Sequence, residues 1–179
     1  VLRHADEGGQ SEQVAFGETD REGRYVFTEL PLDGAHYVVS TSFQNVQYTT
    51  NHLVLSPQET SHESSIDVFA SSSSDGLIGV GALHLIIEVA QDVLNITEIV
   101  ILRNNGGATF VPENQESAIR LTLPSAAFGL QPVTPGVENT STGVRFTEPV
   151  PPGESQIFYT YTVDRGAIDD VLTRQMDYD

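Results

Sequence analysis

The residues able to do chemistry in this chain are scattered rather than assembled. Five histidines, His4, His36, His52, His62 and His84, each stand alone, with no H-x-H, H-E-x-x-H or H-x-x-E-H spacing among them. A zinc peptidase needs two imidazoles one helical turn apart with a glutamate beside them. His62-Glu63 supplies the opening of that pattern and lacks both the helix and the second imidazole. Single histidines in strand-forming sequence read as surface or edge residues. Serine is plentiful, but no G-x-S-x-G elbow presents one as a nucleophile. The chain is therefore read as non-enzymatic, with no catalytic and no cofactor-binding residue to name.

Carboxylates cluster more than histidines do. Asp20 and Glu22 share a turn with Gly23, Asp33 lies in the next turn, and Asp164, Asp169 and Asp170 gather near the end. Calcium takes about six to eight oxygens from closely spaced carboxylates, carbonyls and water. Each group here offers two or three carboxylates without the D-x-D-x-D-G spacing of an EF-hand, so solvated acidic turns are the simpler reading. Asp20, Glu22 and Asp33 remain as calcium-ligand candidates, and no other metal or cofactor is expected. Asn95-Ile96-Thr97 and Asn139-Thr140-Ser141 match the N-glycosylation triplet. Asn95 falls inside an expected strand, which leaves Asn139 as the glycosylation candidate.

The composition restricts what such a chain can bind. Among 179 residues, 25 are acidic and 8 basic, a net charge of −17, and all of the basic residues are Arg. A surface so negative repels phosphate backbones and anionic lipid, arguing against nucleic acid and peripheral membrane attachment. It fits a halophilic, acid-tolerant or cell-exterior setting. The absence of cysteine rules out disulfides, thiol catalysis and Cys-based zinc sites. No apolar run approaches the roughly 18 residues needed to cross a bilayer as a helix, and no export signal opens the sequence at Val1.

The elements that must position these residues are strands almost throughout. Phe16 to Glu18, Arg24 to Thr28, His36 to Phe43, His52 to Leu55 and Ile66 to Phe69 are short β-prone runs separated by Gly, Pro, Asp and Ser. The Ser-rich stretch 71–76 reads as a linker dividing a first unit, 1–70, from a second, 77–179. In the second unit His84 to Ala90 and Leu94 to Leu102 form a hairpin around Gln91-Asp92, with Leu94, Ile96, Val100 and Leu102 on one face. Asn104-Asn105-Gly106-Gly107 makes a reverse turn. Ile119, Leu121 and Leu123, then Val144 and Phe146, then Ile157, Tyr159, Tyr161 and Val163 mark further strands. Gly166 to Met176 fits one helical turn or a strand, and a strand after a turn is expected.

Residues 19 to 39 carry one resemblance. Thr19, Asp20, Gly23, Tyr25, Phe27, Leu30, Pro31, Gly34, Tyr37 and Val39 match, with one extra residue in the turn, the pattern T-D-x-x-G-x-Y-x-F-x-x-L-P-x-G-x-Y-x-V. That pattern resembles the carboxypeptidase regulatory-like domain, a transthyretin-like β-sandwich appended to many extracellular proteins. The resemblance implies a non-catalytic scaffold and brings no peptidase residue with it. It also implies a missing opening strand before Val1, and hence an incomplete first sheet with a groove beside residues 1–5 or 36–43. For the second unit, about seven alternating strands and the loop Pro149 to Glu154 resemble immunoglobulin- and fibronectin-like sandwiches.

The expected architecture is all-β, two tandem sandwiches, with Tyr25, Phe27, Leu30 and Tyr37 in the first core and Leu94, Ile96, Val100, Leu121, Tyr159 and Tyr161 in the second. The expected role is a non-catalytic extracellular structural or assembly module of a surface protein or filament, meeting other chains or copies of itself through strand edges. The alternative is an accessory module that binds carbohydrate or a partner, with Tyr48 as the one aromatic expected to stand free of the core.

Overall fold

The computed structural model describes residues 1–5, 11–32, 34, 36–168 and 171–178. Strand makes up 49% of it and helix 2%, as the dense alternation of apolar residues requires. The chain divides into two compact units, Val1–Val68 and Phe69–Asp179.

The first unit is one five-stranded antiparallel sheet. Its strands are β1 (Leu2–Ala5), β2 (Ser11–Ala15), β3 (His36–Phe43), β4 (Val46–Thr49) and β5 (Leu53–Val54), in the order β2-β1-β3-β4 with β5 also against β3. Gln44 and Asn45 join β3 to β4 with φ of 48° and 64°, the left-handed pair that a two-residue hairpin needs. Leu2, Tyr37 and Leu55 are buried together, and Phe27, Leu30, Val39 and Leu53 pack partly buried against them.

Several expectations fail in this unit. Arg24 to Thr28 forms no strand, and Tyr25 is 44% exposed. The reason is local. Asp20 Oδ1 accepts the backbone N–H groups of Glu22 (3.0 Å) and Arg24 (2.8 Å), while Gly23, at φ 78°, donates to the Asp20 carbonyl. This side-chain-closed turn offers the backbone an alternative to a ladder, and Tyr25 folds back to donate to the Phe16 carbonyl. Phe16 to Glu18 and Ile66 to Phe69 are likewise not strands. No groove lies beside residues 2–5, because β1 carries β2 on one side and β3 on the other. Beside β3, among the described residues, Thr41 to Phe43 lack a paired strand on the β1 side, and Val38 and Val39 lack one on the side of β4 and β5.

The second unit holds the larger core. β7 (Ile78–Val89), β8 (Val93–Asn104), β11 (Ala127–Pro132) and β14 (Gly153–Asp164) form a sheet in the order β11-β14-β8-β7. A second sheet runs β10 (Ile119–Thr122), β13 (Gly143–Phe146), β12 (Val137–Asn139). Inward residues of both sheets share one cluster: Ile96, Val100 and Leu102 with Tyr159 and Val163 from the first, Ile119, Leu121, Val144 and Phe146 from the second. Two antiparallel sheets burying one core is the arrangement of a β-sandwich. Gly143 leaves no room for a side chain, since a Cβ there would lie 2.1 Å from the Leu121 carbonyl oxygen.

The stretch expected as a linker belongs to this unit. Ser71 and Ser72 form β6 and pair in parallel with β9 (Thr109–Phe110), and Phe110 exchanges backbone hydrogen bonds with Val150. Small polar residues read as flexible by composition alone, but here Ala70 and Ser72 supply carbonyls to the amides of Thr109 and Val111. Buried Asn104 shapes the neighbouring turn, donating to the carbonyls of Ala108 and Val150 and accepting from Gly106. After β14, Arg165–Ala167 makes a single turn of 3-10 helix and the rest of the described chain is irregular, so among the described residues of 166–176 the expected strand is not found.

Candidate functional site

A sheet edge presents unpaired backbone groups, and the two sheets of the second unit treat two of their edges in opposite ways. At the edge of the three-stranded sheet, Ile119 and Leu121 turn inward and β13 occupies one side of β10. The other side meets side chains of the C-terminal segment. The Thr122 amide donates to Asp177 Oδ2 at 2.5 Å, its hydroxyl donates to Oδ1 at 3.1 Å, and its carbonyl accepts from Arg174 Nη1. Tyr178 packs partly buried against the core, and burial raises the pKa of its hydroxyl. The edge of β10 is thus capped without a strand.

Arg174 is held in turn by a buried carboxylate. Glu98 sits on the inward face of β8 and is fully buried, where an ionised group needs a partner for every oxygen. It has them: Tyr159 and Tyr161 donate at 2.5 and 2.6 Å, and Arg174 donates from Nε at 2.9 Å and Nη2 at 3.1 Å. Burial first, and the Glu98 carboxylate after it, raise both phenol pKa values well above the ordinary range for tyrosine. Burial alone would lower the Arg174 pKa, but Glu98 outweighs it and leaves the guanidinium more firmly charged. Arg165 ties the start of the segment to the β7–β8 turn by donating to the carbonyls of Ala90 and Gln91, and Ile168, Leu172 and Tyr178 pack on the core.

At the edge of the four-stranded sheet no comparable cap covers β7 among the described residues. Its 12 residues pair with β8 throughout, broken only by an irregularity between Val80 and Ala82, and no strand among the described residues pairs with its outer side. Leu83, Leu85, Ile87 and Val89 lie opposite Val100, Glu98, Ile96 and Leu94, so they occupy the core-facing side of the pleat. Yet Leu85 is 37% exposed, Ile87 44% and Val89 69%, and on the outer face Ile86 is 53% exposed between exposed His84 and Glu88. A long, apolar, unpaired edge of this kind is a template for another strand.

The residues singled out from sequence are spread over both units. Asp20 is committed to its turn, Glu22 is exposed, and Asp33 lies outside the described residues. Asp169 and Asp170 also lie outside them, while Asp164 accepts from the Gly166 amide. No group of three or more His, Asp or Glu among the described residues could hold a metal ion. Asn139 is the exposed last residue of β12 and donates to the Leu130 carbonyl. His36 and His52 face each other with ring centroids 5.7 Å apart, and His62 meets Glu59 at the surface. Tyr48, expected to be free of the core, is buried on β4, which removes it as a sugar-stacking platform. Among the described residues no helix is long and apolar enough to cross a membrane. Comparison with family models, with characterised proteins and with solved structures finds no match to this chain.

Proposed function

We propose that this chain is a non-catalytic structural or assembly module of an extracellular surface protein or filament, joined to other chains through the edges of its sheets. The observation that carries this reading is the contrast between β7 and β10: within one unit, one edge is capped by Arg174 and Asp177 while the other leaves Leu85, Ile86, Ile87 and Val89 exposed. Exposed edges of soluble domains are ordinarily short, charged or covered, so one left long and apolar fits addition of a strand from elsewhere. In this reading the second unit is an immunoglobulin-like sandwich, supported by its four- and three-stranded sheets around one core. The motif at residues 19 to 39 is what supports a carboxypeptidase regulatory-like ancestry for the first unit. The acidic surface and lack of cysteine are in keeping with the outside of a cell.

Sedimentation tests this directly. In molar salt, which screens the net charge of −17, the mass should rise with protein concentration, and charge placed on an unpaired edge should abolish the rise. A monomer at every concentration and salt would defeat the reading.

A further inference from the structure

The unpaired side of β7 is self-complementary. Resting on the assembly reading above, we propose that β7 of one copy pairs antiparallel with β7 of a second copy across a twofold axis at Ile86. The pleat limits the registers available. Directly opposite residues in an antiparallel pair project to the same face, so copies whose core-facing sides stay together must pair even positions with even and odd with odd. Among these registers, the one centred on Ile86 sets His84 against Glu88, Leu85 against Ile87, Leu83 against Val89 and Ile86 against itself. Each imidazole N–H can donate to the facing carboxylate, twice by symmetry, and every other pair is apolar. Centring on Leu85 or Ile87 instead sets Glu88 against Ala82 or Ile86, and centring on Glu88 sets two carboxylates against each other. Charge complementarity therefore selects one register and one occupant, a second copy of this chain.

The twofold axis stands perpendicular to the sheet, so β11-β14-β8-β7 continues into β7-β8-β14-β11 of the second copy. The exposed core-facing row Leu85, Ile87 and Val89 meets the same row of its partner. Such an interface is isologous and closes on itself. Growth into a longer assembly would then need other edges.

The absence of cysteine makes a clean test available. Ile86→Cys places a thiol opposite its own copy, at the Cα spacing a disulfide accepts. Val14→Cys on β2 and Phe128→Cys on β11, both exposed and on edge strands, serve as controls. Under mild oxidation the full chain carrying Cys at 86 should become a covalent dimer, while the two controls stay largely uncrosslinked. His84→Glu should weaken association about tenfold by setting glutamates opposite each other, and His84→Glu with Glu88→His should restore it. If the protein associates but crosslinks through position 14 or 128, or ignores the charge exchange, the β7 pairing is overturned and assembly through another edge survives. If all three positions crosslink equally, the contact is unspecific and the proposal fails. A monomer that crosslinks at no position overturns both the pairing and the assembly reading.

Discussion

The edges of β10 and β7 belong to the same unit and face the same physical problem, yet among the described residues only the first is covered. At β10 the outward amide and carbonyl of Thr122 meet a carboxylate and a guanidinium. The capping residue Arg174 is itself fixed by the buried Glu98. At β7 no strand among the described residues pairs with the outer side, and Leu85, Ile86, Ile87 and Val89 stand exposed beside His84 and Glu88. A chain that caps one edge with a buried ion pair and leaves the next uncovered treats them as different kinds of surface. That difference teaches where to look for a partner.

The comparison breaks most readily at Arg174. Arg174→Ala strips Glu98 of its cation inside the core, and chemical denaturation should show a loss of about 3–5 kcal/mol. Glu98→Leu combined with Arg174→Met should recover most of that loss, since apolar replacements of a buried pair are commonly tolerated. A loss under 1 kcal/mol (the order expected of an exposed pair) would mean the C-terminal segment is not anchored as described.

Alkali gives the next effect. Tyr159 and Tyr161 have pKa values raised by burial and by Glu98, so the folded state holds protons that the unfolded state releases first. Their contribution is complete below the unfolded value of about 10 and is lost as pH rises above it, at about 1.4 kcal/mol per pH unit for each tyrosine. Unfolding free energies measured across that window should fall with this slope, and Tyr159→Phe should lessen it. A flat profile would remove the phenols from the network.

Smaller still is Asp177→Ala, which frees the Thr122 amide at an exposed site and should cost about 1 kcal/mol, while faster hydrogen exchange at Thr122 reports the uncapped edge. Ile86→Lys should leave stability within about 0.5 kcal/mol of the parent and yet remove concentration-dependent association. An edge residue that matters for assembly and not for folding is what separates β7 from β10.

Much of the second unit is legible in its sequence and much of the first is not, for one physical reason. Where apolar residues alternate over many positions, as in Ile157, Tyr159, Tyr161 and Val163, period two decides both strand and face, and all four are buried. In Arg24 to Thr28 the same alternation is short, and a single aspartate, Asp20, accepting from the amides of Glu22 and Arg24 just after it, redirects the backbone. The β10 cap was half visible. Glu98 has the parity of Ile96 and Val100, so a charge on the buried face is readable from the hairpin, and it asks for a partner. Nothing local marks Arg174 as that partner, 76 residues away. The uncovered β7 edge is invisible in sequence because its row of Leu, Ile and Val is the pattern of a covered strand; only the strand order reveals that its outer side is unpaired.

The most direct test of the account is amide hydrogen exchange across residues 78–92, followed as protein concentration is raised in molar salt. The account predicts that amides on the outer side of β7 exchange freely in dilute protein and become protected as it associates, with Thr122 of β10 slow at every concentration. Exchange in β7 that stays fast and independent of concentration, while the protein associates through other strands or not at all, would contradict it.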